Sequence, residues 1–151
     1  MLVVFPIAFL VATLICDLIF LGTGDEDWAT AAIWMLGVGV GTAAVAAMIG
    51  FVDFFGDRRI RALKDAWMHM LGNATALILS LLSFSVRWSA GPVDGVLPWG
   101  LLLSAIVVGL LLFTGWKGGE LVYRHRVGMT GSPQQSEAPS GYASGRPKPA
   151  E

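Results

Sequence analysis

The chain has 151 residues, 55% hydrophobic and 14% charged, with a formal net charge of −1. A soluble domain carries about 25% charged residues, so the composition excludes an ordinary water-soluble globule, and the length allows one domain with a tail rather than two domains. The near-zero total charge is uninformative by itself; the placement of the charges is not.

The first apolar stretch, Met1 to Leu21, is interrupted only by Asp17. About 20 apolar residues in helical form span the hydrocarbon of a bilayer, which predicts a first helix over about 2–21. Pro6 falls in its first turns, where a missing N–H matters little. No basic residue precedes the stretch, and Ile15 is not the small residue that lipoprotein processing before Cys16 would need. The segment is therefore expected to be retained rather than cleaved. The lone Cys16 allows no intrachain disulfide and reads as a small hydrophobe.

An acidic turn, Gly22-Thr23-Gly24-Asp25-Glu26-Asp27, leads into 25 uncharged residues from Trp28 to Val52. They predict a second helix over about 28–55. Its small residues, Gly37 with Gly41, Gly39 with Ala43 and Ala47, and Ala46 with Gly50, recur at a four-residue spacing that lets helices approach closely in lipid. A basic loop carrying Arg58, Arg59, Arg61 and Lys64 follows. The 21 residues from Ala66 to Val86 contain no charge except that of a titratable His69, and predict a third helix over about 66–87. A turn with Gly91-Pro92 and Asp94-Gly95 precedes 22 uncharged residues from Gly95 to Trp116, predicting a fourth helix over about 98–124. Beyond it, Gly, Ser, Pro, Gln and Ala dominate, a composition too poor in apolar surface to fold. The expected architecture is an all-α integral membrane four-helix bundle over residues 1–126 with a disordered tail over 127–151.

Nine of the ten basic residues fall between the second and third stretches or after the fourth, and only Arg87 lies on the other side. Short loops rich in Lys and Arg are retained in the cytoplasm, so both termini are expected there, in the cell's plasma (inner) membrane. Trp28, Trp88 and Trp99 mark the outer ends of the predicted helices, and Trp67 and Trp116 the inner ends, as indole rings prefer the headgroup boundary. Trp34 does not fit this pattern and is expected to pack inside the bundle.

The third helix carries a polar stripe. His69, Asn73, Ser80, Ser83 and Arg87, with Ala76 among them, lie within roughly 80° of one another at 100° per residue. Unsatisfied polar groups in hydrocarbon are costly, so the stripe should face the bundle centre. The simpler reading is that it hydrogen-bonds across helices and orients them. A matching face of the second helix, Gly39, Thr42, Ala46 and Gly50, ends in Asp53, and the fourth helix brings Lys117, Glu120 and Tyr123 to a similar depth. Asp53, His69, Asn73, Lys117, Glu120 and Tyr123 are thus expected to form a polar cluster near the cytoplasmic end. The bland alternative is a solvated helix end with internal ion pairs. Toward the outer side, Asp17 and Arg87 share one depth and are expected to pair.

Several segments together resemble one family. These are Phe5-Pro6-Ile7-Ala8, Asp17-Leu18, Gly50-Phe51-Val52-Asp53, His69 with Asn73, and Gly115-Trp116-Lys117-Gly118-Gly119-Glu120-Leu121-Val122-Tyr123-Arg124-His125 followed by Val127-Gly128. The chain resembles the small prokaryotic membrane proteins of the domain of unknown function 2231, over about Met1 to Gly128, and the last segment is the most specific. The family has no settled activity; some relatives joined to Rieske-type or cytochrome modules imply a redox setting. The chain departs from the family where Val4 stands in a place that some relatives fill with His, which weighs against a two-histidine haem site built from the first and third helices.

Three functions are open. An accessory or scaffold subunit without chemistry of its own leads. A b-type haem electron carrier would use His69 with His125, a Met, or His69 of a second subunit. A small transporter or proton-linked channel would use Asp53, His69 and Glu120 and would need oligomers. No nucleophile-elbow pattern assigns a catalytic residue, and no His-x-x-x-His or Cys-x-x-Cys motif assigns a metal site. The expected partners are the lipid bilayer, with a homo-oligomer or a membrane redox protein as further options. The basic loop is short and lies against the membrane, so lipid headgroups rather than nucleic acid suit it.

Overall fold

Twenty residues, Val4–Thr23, form helix α1, and the chain turns out of it through Gly24, whose φ of 71° is the left-handed conformation that glycine adopts without a steric penalty. The Gly24 N–H donates to the Phe20 carbonyl at 2.8 Å and closes the helix. Helix α2, Glu26–Gly56, opens with Glu26 and Asp27 in its first turn, and the Asp27 N–H donates to the Asp25 carboxylate. A single turn, α3 (Arg58–Arg61), leads through the extended Leu63 into α4, Lys64–Ala90. A wide turn over Val96–Gly100, with Leu97 extended, leads into α5, Leu101–Tyr123. The computed structural model describes residues 3–56 and 58–123, with the side chains of 59 and 121–123 outside that description. The expected tail over 127–151 lies outside the described residues.

Among the described residues there are four helices long and apolar enough to cross a membrane and no strand, so the protein is an all-α four-helix membrane bundle. α1 lies beside α2, α2 beside α4, α4 beside α5 and α5 beside α1, which sets α1 and α4 across the bundle axis from each other. One core layer takes a side chain from each: Leu10, Leu36, Ala76 and Val107. The crevice next to this layer, which Thr13, Ser80, Ser83 and Ser104 also line, has no space for a water molecule. Large apolar side chains such as Val52, Ile78, Leu112 and Trp116 point outward, where a bilayer would solvate them.

Trp34 corrects an expectation: it is 67% exposed and does not pack in the bundle. The buried face of α2 is Ala29, Ala32, Leu36 and Gly39. Trp34 lies two residues from both Ala32 and Leu36, about 200° around the helix, so it faces lipid. The glycines also divide. A Cβ at Gly39 would come 3.0 Å from Leu10 Cδ2 and 3.3 Å from Phe9 Cβ, whereas Gly41 and Gly50 have nothing within 4 Å. Close packing of α1 on α2 therefore rests on Gly39. Gly39→Leu should destabilise the bundle by about 1–3 kcal/mol through overpacking, while Gly41→Leu should leave it near wild type; thermal melts in one detergent separate the two.

Candidate functional site

Two polar centres interrupt the apolar interior, one toward each end. The first is built on the last turns of α4. Arg87 Nη1 and Nη2 each donate to one carboxylate oxygen of Asp17 at 2.7 Å, and both side chains are wholly buried. Nη2 also donates to Ser104 Oγ at 3.1 Å, and Nε approaches Ser83 Oγ at 3.4 Å. The planar guanidinium suits this bidentate geometry better than an ammonium would. Space for it comes from two glycines, one just before the wide turn and one closing it. A Cβ at Gly95 would fall 2.6 Å from Arg87 Cα, and one at Gly100 would fall 3.0 Å from Nη2. The centre joins α1 to α4 across the bundle axis and α4 to α5 through Ser104.

The second centre lies between the start of α4 and the end of α5. His69 Nδ1 is 2.8 Å from the Thr114 carbonyl. A carbonyl only accepts, so Nδ1 carries the proton and, in the neutral tautomer, Nε2 is the acceptor. Asn73 Nδ2 lies 3.3 Å from that nitrogen and donates to the His69 carbonyl at 2.8 Å. Thr114 Oγ1 reaches Asn73 Oδ1 at 3.4 Å. A Cβ at Gly118 would sit 3.0 Å from His69 Cε1, so the ring rests against the α5 backbone. One turn further out, Lys117 Nζ donates to Asp65 at 3.2 Å and to Glu120 at 2.6 Å.

The expected polar cluster is thus assembled in part. His69, Asn73, Lys117 and Glu120 share the α4–α5 seam. Asp53 is exposed on α2 and has no hydrogen bond or ion pair with them among the described residues. Tyr123 closes α5 with its side chain outside the description, and His125 lies outside the described residues. Asp65, Thr114 and Ser104 complete the two centres and were not anticipated. Asp65 could have been found, since it stands four residues before His69 and extends the same stripe.

A haem on His69 needs a nitrogen free for iron and a slot for the macrocycle. Nδ1 is held by the Thr114 carbonyl, Asn73 Nδ2 lies 3.4 and 3.3 Å from the two ring nitrogens, and the ring packs on Gly118. The described residues therefore do not fit a haem within one bundle. Nor do they bring together three His, Cys, Asp or Glu side chains as a metal site.

The two charged centres should respond differently to mutation. Removing one partner of a fully buried pair strands the other, so Asp17→Asn should cost about 3–5 kcal/mol, and Asp17→Leu with Arg87→Met should recover much of that loss. The Lys117 ion pairs are part-exposed, so Lys117→Met should cost under about 1 kcal/mol. Unfolding titrations in mixed micelles would rank the three variants, and equal losses from Asp17→Asn and Lys117→Met would contradict the assignment.

No curated protein and no solved structure matches this chain. A family described as "Predicted membrane protein (DUF2231)" matches it over residues 1–131. With four apolar spanning helices and this match over most of its length, the chain belongs to that membrane-protein family.

Proposed function

We propose that the protein is an accessory or scaffold subunit of a membrane assembly, without chemistry of its own. The observation that carries this reading is the closed interior: the polar groups at its centre are taken up by one another, and the crevice beside them admits no water. A permeation path needs a hydrated or openable line of polar groups. Here an apolar layer of Leu10, Leu36, Ala76 and Val107 separates the Asp17–Arg87 centre from the His69 centre. A haem carrier needs a slot that the described residues do not form. We place the protein in the plasma (inner) membrane with the basic end, bearing Arg58, Arg61, Lys64 and Lys117, toward the cytoplasm and the acidic end, bearing Asp25, Glu26, Asp27 and Asp94, outward.

Protein purified from cells supplied with haem should show no Soret band before or after dithionite and no stoichiometric iron. Proteoliposomes should pass protons and small solutes no faster than empty liposomes. In mild detergent extracts of native membranes, the protein should migrate in a particle larger than its own micelle. A Soret band lost in His69→Ala, or a flux lost in Glu120→Gln, would replace this reading with the corresponding active one. A reporter fused after residue 151 should be active on the cytoplasmic side.

A further inference from the structure

We infer that the α3 turn holds the phosphate of an anionic phospholipid, with Arg61 as the central ligand. The argument starts from an unmet donor. Arg61 Nε is the one buried side-chain nitrogen or oxygen among the described residues without a hydrogen-bond partner. A charged N–H withdrawn from water and left unpaired is unfavourable, so its surroundings call for an acceptor that the described residues do not supply. Arg58 lies three residues before it on the same turn, and Lys64 three residues after it at the start of α4. Neither of these exposed side chains has an ion-pair partner among the described residues. The nearby Asp65 reaches across to Lys117 on α5.

The turn is held in place rather than loosely tethered. The Trp67 indole N–H donates to the Arg61 carbonyl at 2.9 Å. Ile60 and Leu63 pack on Phe54 and Ala66, and the Phe54 and Trp67 rings meet edge to face at 4.9 Å. A guanidinium fork matches two phosphate oxygens. Beside it, Phe51, Phe55 and Trp67 are exposed, an aromatic surface fit for acyl chains. Cations beside exposed aromatic rings at the end of spanning helices fit an amphiphile with a negative headgroup better than a free anion.

Native mass spectrometry of the detergent-purified full chain tests this, with phosphatidylglycerol and phosphatidylcholine of matched chains as probes. The wild type should retain phosphatidylglycerol preferentially, and Arg61→Gln should lower that preference about fivefold, the effect of one basic residue at a membrane surface. Arg61→Lys, which keeps the charge but not the fork, should fall between them. Arg58→Gln with Lys64→Gln removes two exposed side chains without an ion pair among the described residues, and should leave the fold intact by circular dichroism. It should also lower the preference. Equal retention of the two lipids by the wild type would overturn the proposal, as would an unchanged preference in Arg61→Gln or a loss confined to the double variant. Displacement of phosphatidylglycerol by millimolar inorganic phosphate would assign the turn to free phosphate and overturn the lipid assignment.

Discussion

A guanidinium and a carboxylate, both wholly withdrawn from solvent, join the two helices that stand diagonally across this bundle. Each charge in hydrocarbon carries a penalty of roughly 2.5–3.5 kcal/mol by insertion scales, and their mutual geometry is what makes them tolerable. The consequences spread through the outer half of the molecule. Arg87 must be reached by Asp17 from α1 and by Ser104 from α5, which fixes the rotation of both helices. The turn that enters α5 passes so close to Arg87 that positions 95 and 100 have no room for a side chain. The irregular Val96–Gly100 turn thus lies directly against the Arg87 backbone and guanidinium.

The inner half is organised by a weaker and more peripheral network. His69, Asn73 and Thr114 exchange hydrogen bonds along the α4–α5 seam, with Thr114 buried and His69 and Asn73 half-buried. Lys117 lies between two carboxylates where water still reaches. These bonds set the spacing and register of two helices, the His69 ring of α4 lying against the α5 backbone at Gly118. Between the two centres the bundle is apolar and closed. That separation is what supports the proposal of a structural part for the chain in its membrane.

The sequence makes the helices and the inward stripe of α4 legible because both follow from periodicity in a solvent that punishes exposed polar groups. Asp17 and Arg87 could be matched by depth for the same reason. Ser104 and Thr114 were hidden because a single hydroxyl in an apolar run can bond to its own helix, as Thr13 and Ser80 do here, so sequence alone does not show which hydroxyl reaches across. The α2 face was misjudged at its far end for a different reason. Gly39 lies against Phe9 and Leu10, and Phe9 is only five positions after Val4, where α1 begins. α1 and α2 run antiparallel, so beyond about Ala44 the second helix has outrun the described part of the first; a Cβ at Gly50 would meet nothing within 4 Å, and Asp53 is exposed. A helical face read from spacing alone assumes a neighbour along its whole length.

The pairing of helices also bears on how such a bundle comes together. α1 packs most intimately on α2, and α4 on α5. The chain therefore consists of two helical hairpins, each with its own short turn at the acidic end. Helices in lipid insert first and associate afterwards through packing and interhelical hydrogen bonds. Before docking, the α1–α2 hairpin holds an unmatched Asp17 and the α4–α5 hairpin an unmatched Arg87. Among the described residues, each finds its ion-pair partner in the other hairpin and none in its own. Docking removes both penalties in one step and closes the crevice between Leu10, Leu36 and Val107. The ion pair thus specifies which hairpin meets which and in what rotation, a selection that apolar contact alone leaves weak in a solvent as greasy as the helices themselves.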